Sequence, residues 1–431
     1  MSADAELLLA RHGSRNFWVN VLDGTTFIFG ISMLSRFTVL PLFVERLGGG
    51  ALIQGLIPTI FYVGWLLPGL FMVPLVKSMP RRKPLILFAT LFERLPFLVL
   101  GLVLLFAPDL PNPTLLTIFF VLFIVYSFGA GFTSTAWQDF VARIIPKQRW
   151  GLFFGLQNGT GGILGVVGAW VATRLLADWA FPQSVGLLAL GCFSAQIVSY
   201  LFLASTIEPP QAAAPRQPWR EFLGGIMPLL RRDAMFRRYL FCRTAIALGF
   251  VGHSFLTAAL LNRFVVPDAQ IGVLTGVLLA AQALADVGLG WMADRWGHKQ
   301  VLELSTVLGM LALVVAIVAP SSAWFYLIFV LTGAAQAGYT LSGFTLIFAF
   351  SSPEERPTYI GVANTALAPA AAVGPLLAGG LAAVAGYGAL FAVLTLLGAI
   401  GLFGLHRRVM MPVAPVTLAL IEEGARSGHC S

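Results

Sequence analysis

The chain has 431 residues, of which 58% are hydrophobic and 11% are charged, with a formal net charge of +8. Soluble globular domains carry about 25% charged residues, so this apolar surplus excludes a single soluble core and indicates a protein that lies in a lipid bilayer. The three cysteines show neither a disulfide framework nor a metal-binding spacing, and we expect no metal and no cofactor.

Twelve apolar segments are long enough to cross a membrane, because a transmembrane helix needs about 20 mostly apolar residues. The sequence therefore predicts an all-α polytopic membrane protein with twelve transmembrane helices. In chain order the predicted spans are 17–43, 51–76, 84–107, 114–145, 150–176, 184–205, 238–262, 270–292, 300–319, 323–350, 358–384 and 387–406.

A long break at 206–237 separates the first six spans from the last six. It begins with a Pro/Ala-rich stretch and continues with mixed apolar and basic residues. That second part predicts a helix, which either lies on an anionic membrane surface or packs on the bundle. The predicted domains are an N-terminal six-helix bundle (1–205), the linker (206–237), and a C-terminal six-helix bundle with its tail (238–431).

Several short sequences occur twice, once in each predicted half. The repeated pairs are Ala130–Thr133 with Ala337–Thr340, Pro146-x-x-Arg149 with Pro353-x-x-Arg356, and Gly155–Asn158 with Gly361–Asn364. A parallel repeat of an apolar half is a common plan among secondary transporters. In such proteins the halves are related by an axis along the membrane normal, and the substrate binds between them.

The distribution of positive charge predicts the orientation. Most of the 27 Lys and Arg residues fall in segments on the same side as the N-terminus, whereas Arg46, Arg174 and Arg263 fall on the other side. Because cytoplasmic loops carry the excess of Lys and Arg, we expect both termini in the cytoplasm and a multi-pass location in the plasma (inner) membrane. The positive charge follows topology rather than a groove, so no nucleic-acid partner is expected.

The loop between spans 8 and 9 reads Gly290-x-x-x-Asp294-Arg295-x-Gly297-His298-Lys299. It resembles the loop signature of the major facilitator superfamily, G-x-x-x-D-R-x-G-[RK]-[RK], with His298 in place of a fixed cation. The N-terminal copy is eroded and has Lys77 at the acidic position and Pro80 at the glycine position.

This resemblance implies two pseudo-symmetric six-helix bundles that work by alternating access. Spans 1, 4, 7 and 10 would line the cavity, and the signature loop would act as a latch between the halves. Asp139 and Arg143 lie four residues apart on span 4, so they can pair on one helix face. We expect a structural pair there, with a gate role as the alternative. The candidate latch and gate residues are Asp139, Arg143, Gly290, Asp294, Arg295, Gly297 and Lys299.

Ionisable side chains inside a span are costly and usually mark a partner or a pathway. Asp23 is interpreted as a substrate or proton site, or as the salt-bridge partner of a cytoplasmic-side Arg such as Arg143. Arg36 could neutralise an anionic substrate group, or extend outward to Glu45. His253 could couple transport to protons, or be a hydrogen-bonded packing residue.

Glu93 and Arg94 are adjacent in span 3, which is peripheral in the implied fold. They predict a structural network, with a coupling site as the alternative. Neutral polar groups complete the candidate site, and they could equally form interhelical hydrogen bonds. The candidate substrate and coupling residues are Asp23, Arg36, Tyr126, Gln157, Asn158, His253, Gln282, Gln336, Tyr339 and Asn364.

The sequence contains no Walker loop, no Cys/His cluster and no nucleophile constellation, so we do not expect an enzyme. The predicted function is secondary active transport of a small solute, with proton coupling as a hypothesis. The alternatives are export of amphiphilic compounds and a non-transporting factor for assembly or for pigment or lipid handling. The expected partners are a small-molecule substrate and the lipid bilayer, and we expect a monomer.

Overall fold

The computed structural model describes residues 3–77, 79–146, 149–210, 219–350 and 356–409, and within them every regular element is a helix. The helices are α1 (Ala3–Met33), α2 (Val39–Arg46), α3 (Ala51–Lys77), α4 (Lys83–Ala89), α5 (Leu91–Phe106), α6 (Asn112–Ile144), α7 (Trp150–Asp178), α8 (Gln183–Ser205), α9 (Trp219–Arg232), α10 (Ala234–Phe250), α11 (Leu256–Arg263), α12 (Asp268–Trp296), α13 (His298–Val318), α14 (Trp324–Ala349) and α15 (Arg356–Arg408). A 3-10 helix, Val251–Phe255, joins α10 to α11.

The predicted fold class is confirmed. Ten described segments are long and apolar enough to cross a membrane, and α15 contributes two crossings to one of them. Its two arms meet at Gly386, whose φ of +80° lies in the region that favours glycine. Leu248 lies against Gly374 on one arm and Gly249 lies against Gly398 on the other, so the arms run antiparallel. With α1 and α2 as the first crossing, the structure has the twelve predicted spans.

Helix packing forms two bundles. In the N-terminal bundle, α1 packs on α7 and α8, α3 packs on α6, and α5 packs on α6 and α8. In the C-terminal bundle, α10 packs on α15, α12 packs on α14, and α13 packs on α14 and α15. The bundles meet through α3 against α15 and α7 against α12, so the site must be sought between these two seams.

The first span is interrupted, whereas the sequence predicted a continuous helix over 17–43. The helix ends at Met33 and resumes at Val39. Ser35 stabilises the break, since its hydroxyl accepts a hydrogen bond from the Phe37 N–H at 3.3 Å. Pro41 has no N–H to bond the Phe37 carbonyl four residues earlier. That free carbonyl oxygen accepts instead from the hydroxyl of Thr257 on α11, at 2.6 Å.

The first span of the second half, predicted over 238–262, is also interrupted. The 3-10 helix Val251–Phe255 interrupts it. The linker helix α9 contacts α10 and α15, and Leu229 is buried in the same cluster as Phe236. The linker helix therefore packs on the C-terminal bundle.

Candidate functional site between the two halves

The two ends of the molecule differ in how the bundles meet. The linker face carries α9, the end of α8 and the start of α10. The opposite face carries α2 and α11, and there Arg46 on α2 forms an ion pair with Asp268 at the start of α12, with Nε 2.9 Å from Oδ1. This pair joins the N-terminal bundle to the C-terminal bundle.

Hydroxyl groups form further contacts between the bundles below this ion pair. The side-chain oxygens of Thr38 and Thr275 are 2.6 Å apart, and both residues are fully buried. The Thr257 hydroxyl binds the Phe37 carbonyl, as described above. All of these contacts lie toward the opposite face.

Close backbone approach seals the α3–α15 seam at the same end. A Cβ placed on Gly55 would lie 2.5 Å from the Pro375 carbonyl oxygen, and one on Gly379 would lie 2.6 Å from the Ala51 carbonyl oxygen. Each helix thus presents a glycine to the backbone of the other. The absence of side chains at these positions lets the two bundles touch.

The seam between α7 and α12 extends to Ala283, whose Cβ would lie 3.2 Å from a Cβ placed on Gly162. Beyond that contact, toward the linker face, Asn158 on α7 and Val287 on α12 are exposed. The ion pair and the hydroxyl contacts between the bundles described above lie toward the opposite face.

A small cavity lies beneath the closed end, where the interrupted helices of the two bundles face each other. Its free volume is about 10 Å³, roughly the space that one water molecule needs. Arg36 lies in the break between α1 and α2, and Ser254 lies in the 3-10 helix of the other half. The cavity is lined by Arg36, Phe37, Ile57, Pro58, Phe61, Tyr62 and Ser254.

The Arg36 guanidinium points into this cavity rather than toward Glu45. Its central carbon lies 4.2 Å from the centroid of the Phe61 ring and 5.0 Å from that of Phe37. Glu45 instead accepts a hydrogen bond from Gln54, at 3.2 Å. A cation stacked on aromatic rings is stabilised by the ring quadrupole, and within the described part of the chain the Arg36 N–H groups form no hydrogen bond, so they can bind an anion.

Among the described contacts, Asp23 does not pair with Arg143, the arginine that the sequence analysis gave as an example. The Ser199 hydroxyl on α8 donates to Asp23 at 2.6 Å. Arg143 contacts Asp139 at 2.8 Å, as their spacing predicts, and Asp139 also accepts from Arg82 at 2.7 Å. Asp139 therefore bridges two guanidinium groups of the N-terminal bundle, and this cluster has a net charge of +1.

His253 lies away from the cavity lining. Its side chain is 1% exposed, and Nε2 lies 3.1 Å from the carbonyl oxygen of Gly309 on α13. Its ring packs edge-on against Phe250, with centroids 4.8 Å apart. These contacts are those of a hydrogen-bonded packing residue.

The neutral candidates are distributed over several helices. Gln157 is buried and donates to the Asn20 carbonyl oxygen at 3.1 Å, so it joins α7 to α1. Tyr126 packs on Phe97, with ring centroids 5.0 Å apart. Tyr339 stacks on Phe250 at 4.3 Å, and so packs within the C-terminal bundle.

The remaining neutral candidates have no assigned contact to the cavity. Gln282 on α12 and Gln336 on α14 are half-buried, and Asn158 is exposed on α7. Asn364 lies in α15, and its side chain falls outside the described part of the chain.

The signature loop forms contacts within the C-terminal bundle. Gly297, with φ +99°, ends α12, and the Lys299 ammonium donates to the carbonyl oxygens of Val409 at 2.9 Å and His406 at 3.2 Å. Arg295 is exposed and lies over the Trp291 ring at 5.3 Å. Gly290 lies within α12, and the side chain of Asp294 falls outside the described part of the chain.

Sequence reasoning missed the equivalent contacts in the N-terminal bundle. The Lys83 ammonium donates to the Thr206 carbonyl oxygen at 2.7 Å, and Glu208 accepts from the backbone N–H groups of Arg82 and Lys83 at 2.8 Å. A signal was present, since Lys83 follows the Arg pair of the eroded signature copy at the start of a helix.

A family model described as Major Facilitator Superfamily matches residues 24–264 and 239–425. The chain belongs to the major facilitator superfamily. Membership in this family makes it a membrane transporter rather than an enzyme. No curated protein sequence is similar enough to count as a match.

Solved structures of other superfamily members share the fold. The nucleoside transporter NupG matches with a TM-score of 0.63 at 13% identity, over 91% of this chain and 98% of its own. The peptide transporter POT in complex with sulfate matches with a TM-score of 0.68 at 14% identity, over 92% of this chain and 96% of its own. The human organic anion transporter MFSD10 (TETRAN) matches with a TM-score of 0.62 at 16% identity, over 91% of this chain and 99% of its own. At these identities the similarity shows the fold alone.

Proposed function

We propose that this superfamily member is a secondary transporter that binds a small organic anion at Arg36 and moves it by alternating access. The observation that carries the proposal is the position of Arg36, a guanidinium in the cavity between the bundles whose contacts are aromatic rings. A cation at membrane depth is costly without a counter-charge, and such residues mark substrate pathways.

The side chains around the cavity have the chemistry of a site for an anion with an apolar body, and the cavity would widen to admit one. Guanidinium groups bind carboxylate and phosphate oxygens in a bidentate manner. Phe61 and Tyr62 provide an apolar wall from the N-terminal bundle, and Ser254 contributes a hydroxyl from the C-terminal bundle. A ligand between Arg36 and Ser254 would contact both halves and would therefore sense their relative position.

The asymmetric closure supports alternating access. The bundles meet toward the opposite face through an ion pair, hydroxyl contacts and glycine approaches, and we interpret this state as closed there and open toward the linker face. We propose that both termini lie in the cytoplasm, so that this state is open to the cytoplasm. Rocking of the bundles about the cavity would open the opposite face in turn.

The named transport classes of the solved relatives differ: nucleosides for NupG, peptides for POT and organic anions for MFSD10. The fold therefore does not select a substrate. Arg36 favours the organic-anion class, because neutral nucleosides do not need a counter-charge.

The test is ligand-induced stabilisation of the purified protein in detergent, with matched anion and amide pairs such as benzoate and benzamide. A ligand that binds the native state raises the melting temperature by mass action. We expect anions but not their amides to stabilise the protein, Arg36→Gln to abolish this selectivity, and Arg36→Lys to retain part of it.

Arg174→Gln is the matched control, because Arg174 also lies over an aromatic ring, Trp170 at 5.6 Å, but is exposed at the outer end of α7. It should behave as the unmodified protein. Uptake of the stabilising anion into proteoliposomes then tests transport itself. Equal stabilisation by anion and amide, or unchanged anion binding in Arg36→Gln, would refute the assignment.

A further inference from the structure

The interior of the N-terminal bundle contains ionisable groups that the substrate cavity does not use. Asp23 on α1 and Glu93 and Arg94 on α5 are 5%, 4% and 2% exposed. Tyr126 on α6 and Cys192 and Tyr200 on α8 complete the titratable groups that face them. We call Asp23, Glu93 and Arg94 the buried triad.

Arg94 forms no ion pair with either carboxyl group among the described contacts. Its Nε donates to the Gln196 carbonyl oxygen at 2.9 Å and its Nη1 to the Thr90 carbonyl oxygen at 3.0 Å. Its Nη2 donates to the Ser199 hydroxyl at 3.3 Å, and that hydroxyl in turn donates to Asp23 at 2.6 Å. Ser199 therefore bridges the Arg94 guanidinium and the Asp23 carboxyl group by hydrogen bonds.

Glu93 is placed differently. Its Oε1 is buried and has no hydrogen-bond donor within the described structure. Glu208 is also buried, yet its two oxygens accept backbone N–H groups of Arg82 and Lys83 at 2.8–2.9 Å. An ionised carboxylate needs such donors when it is removed from water, and Glu93 lacks them on one oxygen.

We infer that the buried triad is a proton-binding site that holds one exchangeable proton, carried on Glu93 while Asp23 is ionised. Two carboxylates and one guanidinium leave one uncompensated negative charge in an apolar bundle, and a single proton removes it. The step is the dissociation of the Glu93 O–H bond, with the proton passing to water.

If the proposed transport function holds, loading and unloading of this proton would make anion uptake depend on pH. Symport of one proton with a monovalent anion would move no net charge.

The primary test is infrared spectroscopy of the purified, solute-free protein, which detects the C=O stretch of protonated carboxyl groups. We expect one protonated carboxyl near neutral pH that is lost in Glu93→Gln. We also expect its loss in Asp23→Asn, because the charge of Arg94 would then balance that of an ionised Glu93. Glu208→Gln is the control for burial and should leave the signal unchanged.

The outcomes separate the claims. A signal that persists in Glu93→Gln overturns the site, and one that disappears in Glu93→Gln but persists in Asp23→Asn overturns the shared proton. If Glu93→Gln does not fold, loss of the infrared signal in Asp23→Asn tests the shared proton instead.

Anion uptake at two pH values then tests coupling. Unchanged pH dependence in Glu93→Gln would overturn coupling while the proton site stands, whereas absence of uptake in the unmodified protein would refute transport but not the site.

Discussion

Lys83 and Lys299 occupy matching positions in the two bundles. Each lies at the start of the third crossing of its half, and each ammonium donates to a carbonyl oxygen at the end of the sixth, Thr206 at 2.7 Å and Val409 at 2.9 Å. The pseudo-symmetry of the fold therefore extends to individual hydrogen bonds, even though the N-terminal signature has lost its acidic residue and its glycine.

Replacement of Lys299 by Met should destabilise the C-terminal bundle. Hydrogen bonds from charged groups contribute about 1.5–3 kcal/mol when buried, and the Lys299 side chain is 19% exposed, so we expect a loss of about 1 kcal/mol. Thermal unfolding in detergent measures this loss. Arg407 is exposed at the end of α15, next to His406, whose carbonyl oxygen Lys299 binds. Arg407→Met is therefore the control and should have no comparable effect.

Gly379→Ala should weaken closure of the opposite face. The new Cβ would lie 2.6 Å from the Ala51 carbonyl oxygen, a backbone atom that cannot rotate away. Overpacking of this kind costs about 1–3 kcal/mol, which changes the ratio of closed to open states at least fivefold. Spin labels at the exposed positions Trp179 and Val265, one in each bundle, would report a longer distance.

The neighbouring glycine provides the control for this experiment. A Cβ on Gly380 meets no atom within 4 Å, so Gly380→Ala should leave the label distance unchanged. Equal distances in the two variants would show that the α3–α15 contact does not limit opening.

Reversal of the charge at Arg46 should also favour opening. Arg46→Asp would place two carboxylates together where the ion pair with Asp268 now stands. The pair is 44% and 17% exposed, so its contribution is small, about 0.2–1 kcal/mol. The same pair of spin labels should show a modest increase in the open population, and high salt should reduce it. The double variant Arg46→Asp/Asp268→Arg should restore closure; a double variant as open as the single one would contradict this account.

Gly24→Ala should destabilise the α1–α7 contact. A Cβ on Gly24 would overlap the Gln157 amide, which would have to abandon its buried hydrogen bond to the Asn20 carbonyl oxygen. Loss of a buried hydrogen bond costs about 1–3 kcal/mol. In Gln157→Ala the overlapping atoms are absent, so adding Gly24→Ala to it should cost much less than in the unmodified protein. Additive losses in the double variant would show that the two side chains do not interact.

The sequence predicted the fold well because the length of each apolar segment is a local signal and the repeats can be found by comparing the two halves. The boundary between spans 11 and 12 was expected between 384 and 387, and the helix arms meet at Gly386. The contact of Asp139 with Arg143 follows from helical spacing. Each of these features is encoded in a few neighbouring residues.

Contacts between distant segments could not be predicted in this way. The partner of Asp23 is Ser199, 176 residues away, and the spacing of neither residue identifies the other. Pro41 indicates the break before α2, but the sequence does not show that the free Phe37 carbonyl oxygen accepts a hydrogen bond from Thr257 of the other half. The orientation of Arg36 toward the cavity depends on that same break.

The single-residue turn at Gly386 has a mechanical consequence. One arm of α15 contacts α3 of the other bundle through Gly379, and the second arm ends where Lys299 holds it. Because the turn consists of a single residue, the two arms should move together as a rigid helical hairpin. When the α3–α15 seam separates, movement of the first arm would then move the far end of the second arm. The signature loop, which contacts that end through Lys299, would therefore move when the opposite face opens.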